Sequence, residues 1–153
     1  MRCTSGAAGA GRLDAMASVV GLWTSPARKS GRSDPHERIN AIEGQGLEGC
    51  AHANPPKREV LFVSKEHLDA VDVEPGAIRE NITVDGDDVE KWPIGQRVRA
   101  GQAEFEITMV CDPCHRMDEL RDGLRAELQG KRGMLARVTQ TGEITVGDEI
   151  TLV

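Results

Sequence analysis
The sequence predicts a mainly β domain, a barrel or sandwich carrying one or two short helices. Three observations lead there. The run Ala103-Glu-Phe-Glu-Ile-Thr-Met-Val110 alternates strictly, with Ala103, Phe105, Ile107 and Met109 on one face and Glu104, Glu106 and Thr108 on the other. The last twenty residues, "MLARVTQTGEITVGDEITLV", divide into three short strands at Thr141-Gly142 and Gly147-Asp148. Elsewhere, short runs rich in Val, Ile and Leu are separated by Gly, Pro and Asp, and only one segment has a strong helical period.

Taken in order, Val19 to Trp23, Arg38 to Ile42 and Glu59 to Val63 read as strands. "TSPARKSGRSDPHE" between the first two is a polar surface loop, and residues 44–57, "GQGLEGCAHANPPK", form a second long irregular segment. Ser64 is placed to cap a short helix that ends near Pro75-Gly76. Ile78 to Val84 predicts a strand running into an Asp85-Gly86 turn, and Gly95 and Gly101 bracket a hairpin arm. The alternating strand that follows predicts an antiparallel sheet with one wet face. Met117, Leu120, Leu124 and Leu128 recur at helical spacing, predicting the longest helix over 116–129 with Gly130 at its end.

The 153 residues suit one domain, with 19 Lys plus Arg against 25 Asp plus Glu and a net charge of −6. Such a balance argues against nucleic-acid binding. Four cysteines are too few for a disulfide scaffold. The opening "MRCTSGAAGAGRLDAM" has no continuous apolar stretch to serve as an export signal, and no run is long enough to span a membrane. Residues 1–16 are therefore expected to be a disordered extension, with Met16 a second candidate start, and residues 17–153 the domain. The expected setting is the cytoplasm, with thiols reduced and no membrane or nucleic-acid partner.

Chemistry concentrates in Cys111-Asp-Pro-Cys-His-Arg-Met117. Cys-x-x-Cys-His is a haem-attachment pattern, but it requires export, and its flank here reads as strand. A structural zinc site would combine Cys50, His52, Cys111 and Cys114. A zinc deaminase is excluded, because no His-x-Glu occurs and Pro113 falls inside the cysteine pair. A dithiol switch would use Cys111 and Cys114 together. In the fourth reading Cys114 acts alone: it follows a strand, precedes a helix and adjoins His115 and Arg116, and such surroundings favour a thiolate. Strict alternation puts Cys111 on the Phe105 face, as a packed thiol.

Several segments in order resemble the MOSC family, the molybdenum cofactor sulfurase C-terminal domain. "INAIEGQGLEGCAHA" is similar to the family's Gly-x-Gly-x-x-Gly-Asp-x-His, and "EPGAIRENITVDG" to its Pro-Gly followed by Glu-Asn. "WPIGQ", "DPC" and "VGDEI" resemble its Ile-Gly-Asp, Pro-Cys and terminal Gly-Asp. The resemblance spans about Val19 to Val153 and implies a fold like the pyruvate-kinase β-barrel domain.

It further implies that Cys114 is the reactive residue and the ligand of molybdenum held on a pterin. Amidoxime-reducing and YiiM-like relatives use such a centre to reduce N-hydroxylated compounds, whereas sulfurase-linked members handle cofactor sulfur. By the same resemblance Arg79, Glu80, Asn81, His52 and Arg116 contact the cofactor. A separate protein then supplies electrons or sulfur, and the substrate is a small molecule. The alternative is a sulfur or cofactor carrier with Cys114 as a persulfide and no turnover of its own. Two positions depart from the pattern: Cys50 stands where the family carries Asp, and Gln96 follows Gly95 in place of Asp.

Overall fold
The computed structural model describes residues 17–26, 33–50 and 58–153. The expected N-terminal extension and His52 lie outside them. Eleven strands are described: β1 (Ser18–Thr24), β2 (Asp34–His36), β3 (Arg38–Ile42), β4 (Gly46–Leu47), β5 (Val60–Ser64), β6 (Ile82–Asp85), β7 (Arg97–Ala100), β8 (Ala103–Val110), β9 (Met134–Gln140), β10 (Gly142–Thr145) and β11 (Ile150–Leu152). With them come the helices α1 (Lys65–Ala70), α2 (His115–Leu120) and α3 (Leu124–Glu127), and a 3-10 turn over Val89–Lys91. Among the described residues no helix is long and apolar enough to cross a membrane.

The strands form an eight-stranded sheet, ordered β11-β7-β8-β9-β5-β6-β1-β2, and a three-stranded sheet, β10-β3-β4. Among the described residues the large sheet is not closed by a strand ladder. Its β1 end is joined to its β11 end by an isolated bridge, Ser18 to Glu149, and by main-chain hydrogen bonds such as Ile150 N to Ala17 O (2.8 Å). The architecture is mainly β, as expected. The hairpin between Gly95 and Val110 forms with Val98 opposite Phe105, and the three closing strands are all present.

Five local expectations need correction, the last of them the face of Cys111. The sheet is not purely antiparallel, because β5 and β6 pair in parallel, Phe62 opposite Ile82. Every residue of β5 is buried, as fits a strand covered on both faces, and the connection through α1 returns the chain in the same direction. The expected strand over 78–84 begins only at Ile82, because residues 75–78 form a turn. The long helix over 116–129 is two short ones. Arg121 is extended (φ −163°, ψ 132°) and Gly123 is left-handed (φ 84°), so Asp122-Gly123 acts as a turn inside the apolar stripe. Ser64 precedes α1 but does not cap it through its side chain. Its hydroxyl instead donates to Asp87 O (3.1 Å) and accepts from Val89 N (2.8 Å).

Two apolar clusters lie on opposite faces of the sheet. One fills the interior around Phe62, whose ring meets Trp92 and Phe105 edge to face at centroid distances of 5.7 and 5.1 Å. The other lies under the helices and contains Leu61, Val63, Leu68, Met117, Leu124, Leu128 and Cys111. A β-bulge decides which face Cys111 joins. Leu135 pairs with Met109 but Ala136 pairs with Ile107, so Thr108 is the extra residue. The bulge carries Met109 away from the Phe105 face and against the helix-side cluster. Cys111 is buried as expected, but on the opposite face from the one strict alternation predicts.

Candidate functional site
The site gathers where β8 runs out and α2 begins. Cys111 N donates to Gly133 O (3.0 Å), and beyond it Pro113 has no N–H to extend the ladder. Cys114 takes an extended conformation (φ −119°, ψ 175°) and starts α2, with Met117 N donating to its carbonyl (2.9 Å). Cys114 is half-buried and Arg116 is exposed, whereas Cys111 is only 8 % exposed. Burial pushes the Cys111 thiol up, partly offset by Arg132 and Arg58. With only six residues, α2 contributes a small dipole, so the arginines dominate the field here.

The second wall is the connection 76–81. Glu80 is 1 % exposed, and its Oε2 accepts from Gly76 N (2.7 Å) and Thr83 Oγ1 (2.8 Å). Thr83 in turn accepts from Trp23 Nε1 (3.0 Å), so the chain Trp23–Thr83–Glu80–Gly76 holds the bend. Burial pushes the Glu80 carboxyl up, against the pull of those hydrogen bonds and of Arg132. Arg79 has a left-handed backbone (φ 66°), unusual for a side chain of its size. Its guanidinium pKa is lowered, first by burial and then by repulsion from Arg116 and Arg132 against attraction to Cys50 and Cys114. Arg79 therefore has both cysteines and both arginines within electrostatic reach.

Cys50, 7 % exposed, forms the third wall. Its Sγ accepts from Ser25 N (3.5 Å) and from Asn81 Nδ2 (3.4 Å). Asn81 also accepts from Leu61 N (2.9 Å) and donates to Trp23 O (3.1 Å), tying β5 to β1 just before β6 starts. Both amide hydrogens of Asn81 are thus committed, and its local effect is to position the Cys50 sulfur.

Of the residues that sequence reasoning selected, Arg79, Glu80, Asn81, Cys114 and Arg116 converge here. Cys50, noted as a departure from the family pattern, joins them. The three cysteine sulfurs do not gather tightly enough for a metal nest. Among the described residues, only Glu66, His67 and Asp88 bring three ligand atoms within 4.8 Å of one another. Sequence reasoning missed Arg132 and Arg58. Arg132 is 8 % exposed, and Arg132 Nη2 donates to Ile78 O (2.9 Å). A lone arginine between a helix end and a strand has no local signal, since only β-sheet pairing carries it to the thiols.

In overall fold the chain is similar to the YuaD protein of Bacillus subtilis, with a TM-score of 0.76 and 20 % identity, over 88 % of this chain and 93 % of that one. It is also similar to YiiM of Geobacillus stearothermophilus (TM-score 0.72, 22 % identity, 90 % and 75 % covered). YiiM of Escherichia coli gives 0.71 and 22 %, with 90 % and 70 % covered. No curated protein matches the chain. A MOSC domain model matches residues 50–151, a stretch that runs from Cys50 through Arg79 and Cys114 to β11, and by that match this chain belongs to the MOSC domain family.

Proposed function
We propose that this chain binds a molybdenum–pterin cofactor with Cys114 as the metal ligand. In this reading it reduces N-hydroxylated small molecules with electrons from a separate donor protein. The observation that carries the reading is a half-buried thiol at a strand end, electrostatically coupled to the half-buried Arg79 with its left-handed backbone. The residues fit such a group. A thiolate suits a soft redox metal, and arginines suit the anionic parts of a pterin cofactor. Glu80 Oε1 is buried without a hydrogen-bond partner and suits an amino edge.

Cys114 would hold the metal, Arg79, Glu80, Arg116 and His52 would contact the pterin, and Asn81 would act by fixing Cys50. When bound, the cofactor supplies a two-electron redox centre. Converting an N-hydroxyl to N–H breaks the N–O bond, consumes two electrons and two protons, and releases water. The chain's own share is to orient the substrate between the arginines and to keep Cys111 dry behind Cys114. A sulfur-carrier reading, with Cys114 as a persulfide, draws on the neighbouring thiols of Cys50 and Cys111.

The test is expression in a host that makes the cofactor, with molybdenum measured by mass spectrometry and pterin by fluorescence. Cys114→Ser is expected to lose both, together with N-hydroxyl reduction. Cys111→Ser is expected to keep them and to lose about 1–2 kcal/mol of stability, as a buried polar replacement. Equal functional loss in two folded variants would assign the role to the dithiol pair. Sulfane sulfur on Cys114 without molybdenum would favour the carrier, and full activity in Cys114→Ser would overturn both.

A further inference from the structure
We propose that Glu66, His67 and Asp88 form a site for a divalent transition-metal ion, clamping the start of α1 to the turn after β6. The three side chains bring one ligand atom each within 4.8 Å of one another. Among the described residues no other group of three does so. None of the three belongs to the thiol site, so the metal site stands apart from the cofactor reading.

The two segments are tied together before any ion arrives. Ser64, the residue before α1, donates its hydroxyl to Asp87 O (3.1 Å) and accepts from Val89 N (2.8 Å). Asp87 is committed on both carboxylate oxygens, Oδ1 to Asp88 N (2.8 Å) and Oδ2 to Trp92 Nε1 (2.9 Å). Asp88 Oδ1 accepts from Glu90 N (3.0 Å), which fixes the carboxylate on the side that meets His67. Such outer contacts hold metal ligands in place.

Acidic charge alone would not identify a ligand here; the histidine does. The His67 side chain is 15 % exposed, and its Nδ1 is buried with no hydrogen-bond partner. Its Nε2 stands 3.5 Å from Asp88 Oδ1. A charged imidazole hydrogen-bonded to a carboxylate closes to about 2.7–2.9 Å. Two ligand atoms on one zinc-like ion, at bond lengths of about 2.0–2.2 Å and tetrahedral angles, stand about 3.3–3.6 Å apart. The gap is therefore the width of a shared ion rather than of a hydrogen bond.

The donor set names the class of ion. Glu66 is exposed, and among the described residues neither it nor Asp88 pairs with a lysine or arginine. Two carboxylates balance a divalent charge, and the neutral imidazole favours transition ions over magnesium and calcium, which prefer oxygen alone. Three protein ligands leave a position for water.

Titration of the full chain with manganese(II), followed by loss of the free-ion electron paramagnetic resonance signal, tests the site. Manganese is chosen because it prefers oxygen and nitrogen to the soft thiolates elsewhere in the chain. The wild type is expected to bind one equivalent, and the ion to raise its urea midpoint. Glu66→Gln, His67→Ala and Asp88→Asn should each bind about tenfold or more weakly at unchanged fold. Asparagine at 88 keeps an oxygen to accept from Glu90 N. If His67→Ala does not fold, His67→Phe decides by the same measurement, since it keeps a ring without nitrogens. No binding by the wild type, unchanged affinity in any of these folded variants, or displacement by equimolar magnesium overturns the proposal. Cys114→Ser should bind manganese as the wild type does. Loss of manganese in that variant would place the ion at the thiols and overturn it too, whereas loss of molybdenum there with manganese retained leaves the two sites independent.

Discussion
The interior of the sheet and the site at the end of β8 are built by opposite rules. Inside, Val60, Phe62, Phe105, Ile107 and Ile144 are fully enclosed, the aromatic rings meet edge to face, and dispersion and burial both favour the fold. At the site, Arg79 sits in a left-handed backbone, Arg132 has buried donors without partners, and burial pushes the Glu80 carboxyl pKa up. Each of these features opposes folding. The contrast indicates that stability resides in the first region and is spent in the second, where strain and unpaired groups cluster around the thiols.

The largest effect should come from breaking the interior. Phe62→Ala removes the ring that bridges Trp92 and Phe105, and should destabilise the chain by about 3–5 kcal/mol in urea unfolding. A loss below 1 kcal/mol would mean that the interior is not where stability lies. The opposite sign is expected at Arg79. Arg79→Gly relieves the left-handed strain and the repulsion from Arg116 and Arg132, offset by the greater entropy of an unfolded glycine. The net gain should be up to about 1 kcal/mol in thermal or urea unfolding, with cofactor binding lost. A destabilised variant would show that Arg79 supports the fold rather than burdening it.

The smallest effect is a slope. Burial raises the folded pKa of Glu80, so between its unfolded and folded values the native chain keeps a proton that the unfolded chain has released. Stability must therefore fall as pH rises through that window, and be fully regained below the unfolded value. Glu59 and Glu90 are raised by burial too and act in the same direction. Urea midpoints taken from about pH 4 to pH 8 should fall in the wild type and fall less in Glu80→Gln. Identical slopes would place the burden on Glu59 and Glu90 alone.

Much of the fold is legible in the sequence because its signals are local. Ala103 to Ile107 alternate along one strand, and covalent geometry alone puts side chains two residues apart on the same face. The closing strands are marked by their own turns, and the Cys114 backbone is freed by the adjacent Pro113. The break in the helix stripe was also local, since Asp122-Gly123 is a turn pair, but the leucine period concealed it.

Other features depend on partners far along the chain. The face that Cys111 occupies is set at Thr108, where a bulge against β9 reverses the alternation, and no residue of β8 announces it. The parallel pairing of β5 with β6 depends on how the α1 connection packs. The site itself brings Cys50, Cys114 and Arg132 within electrostatic reach of Arg79, four positions spread over more than half of the chain. Sequence alone determined which segments become strands and which cysteine leaves the ladder, because those depend on neighbours a few residues away. Tertiary structure decided which charges meet those thiols, because strand register and a single bulge fix distances that no local pattern encodes.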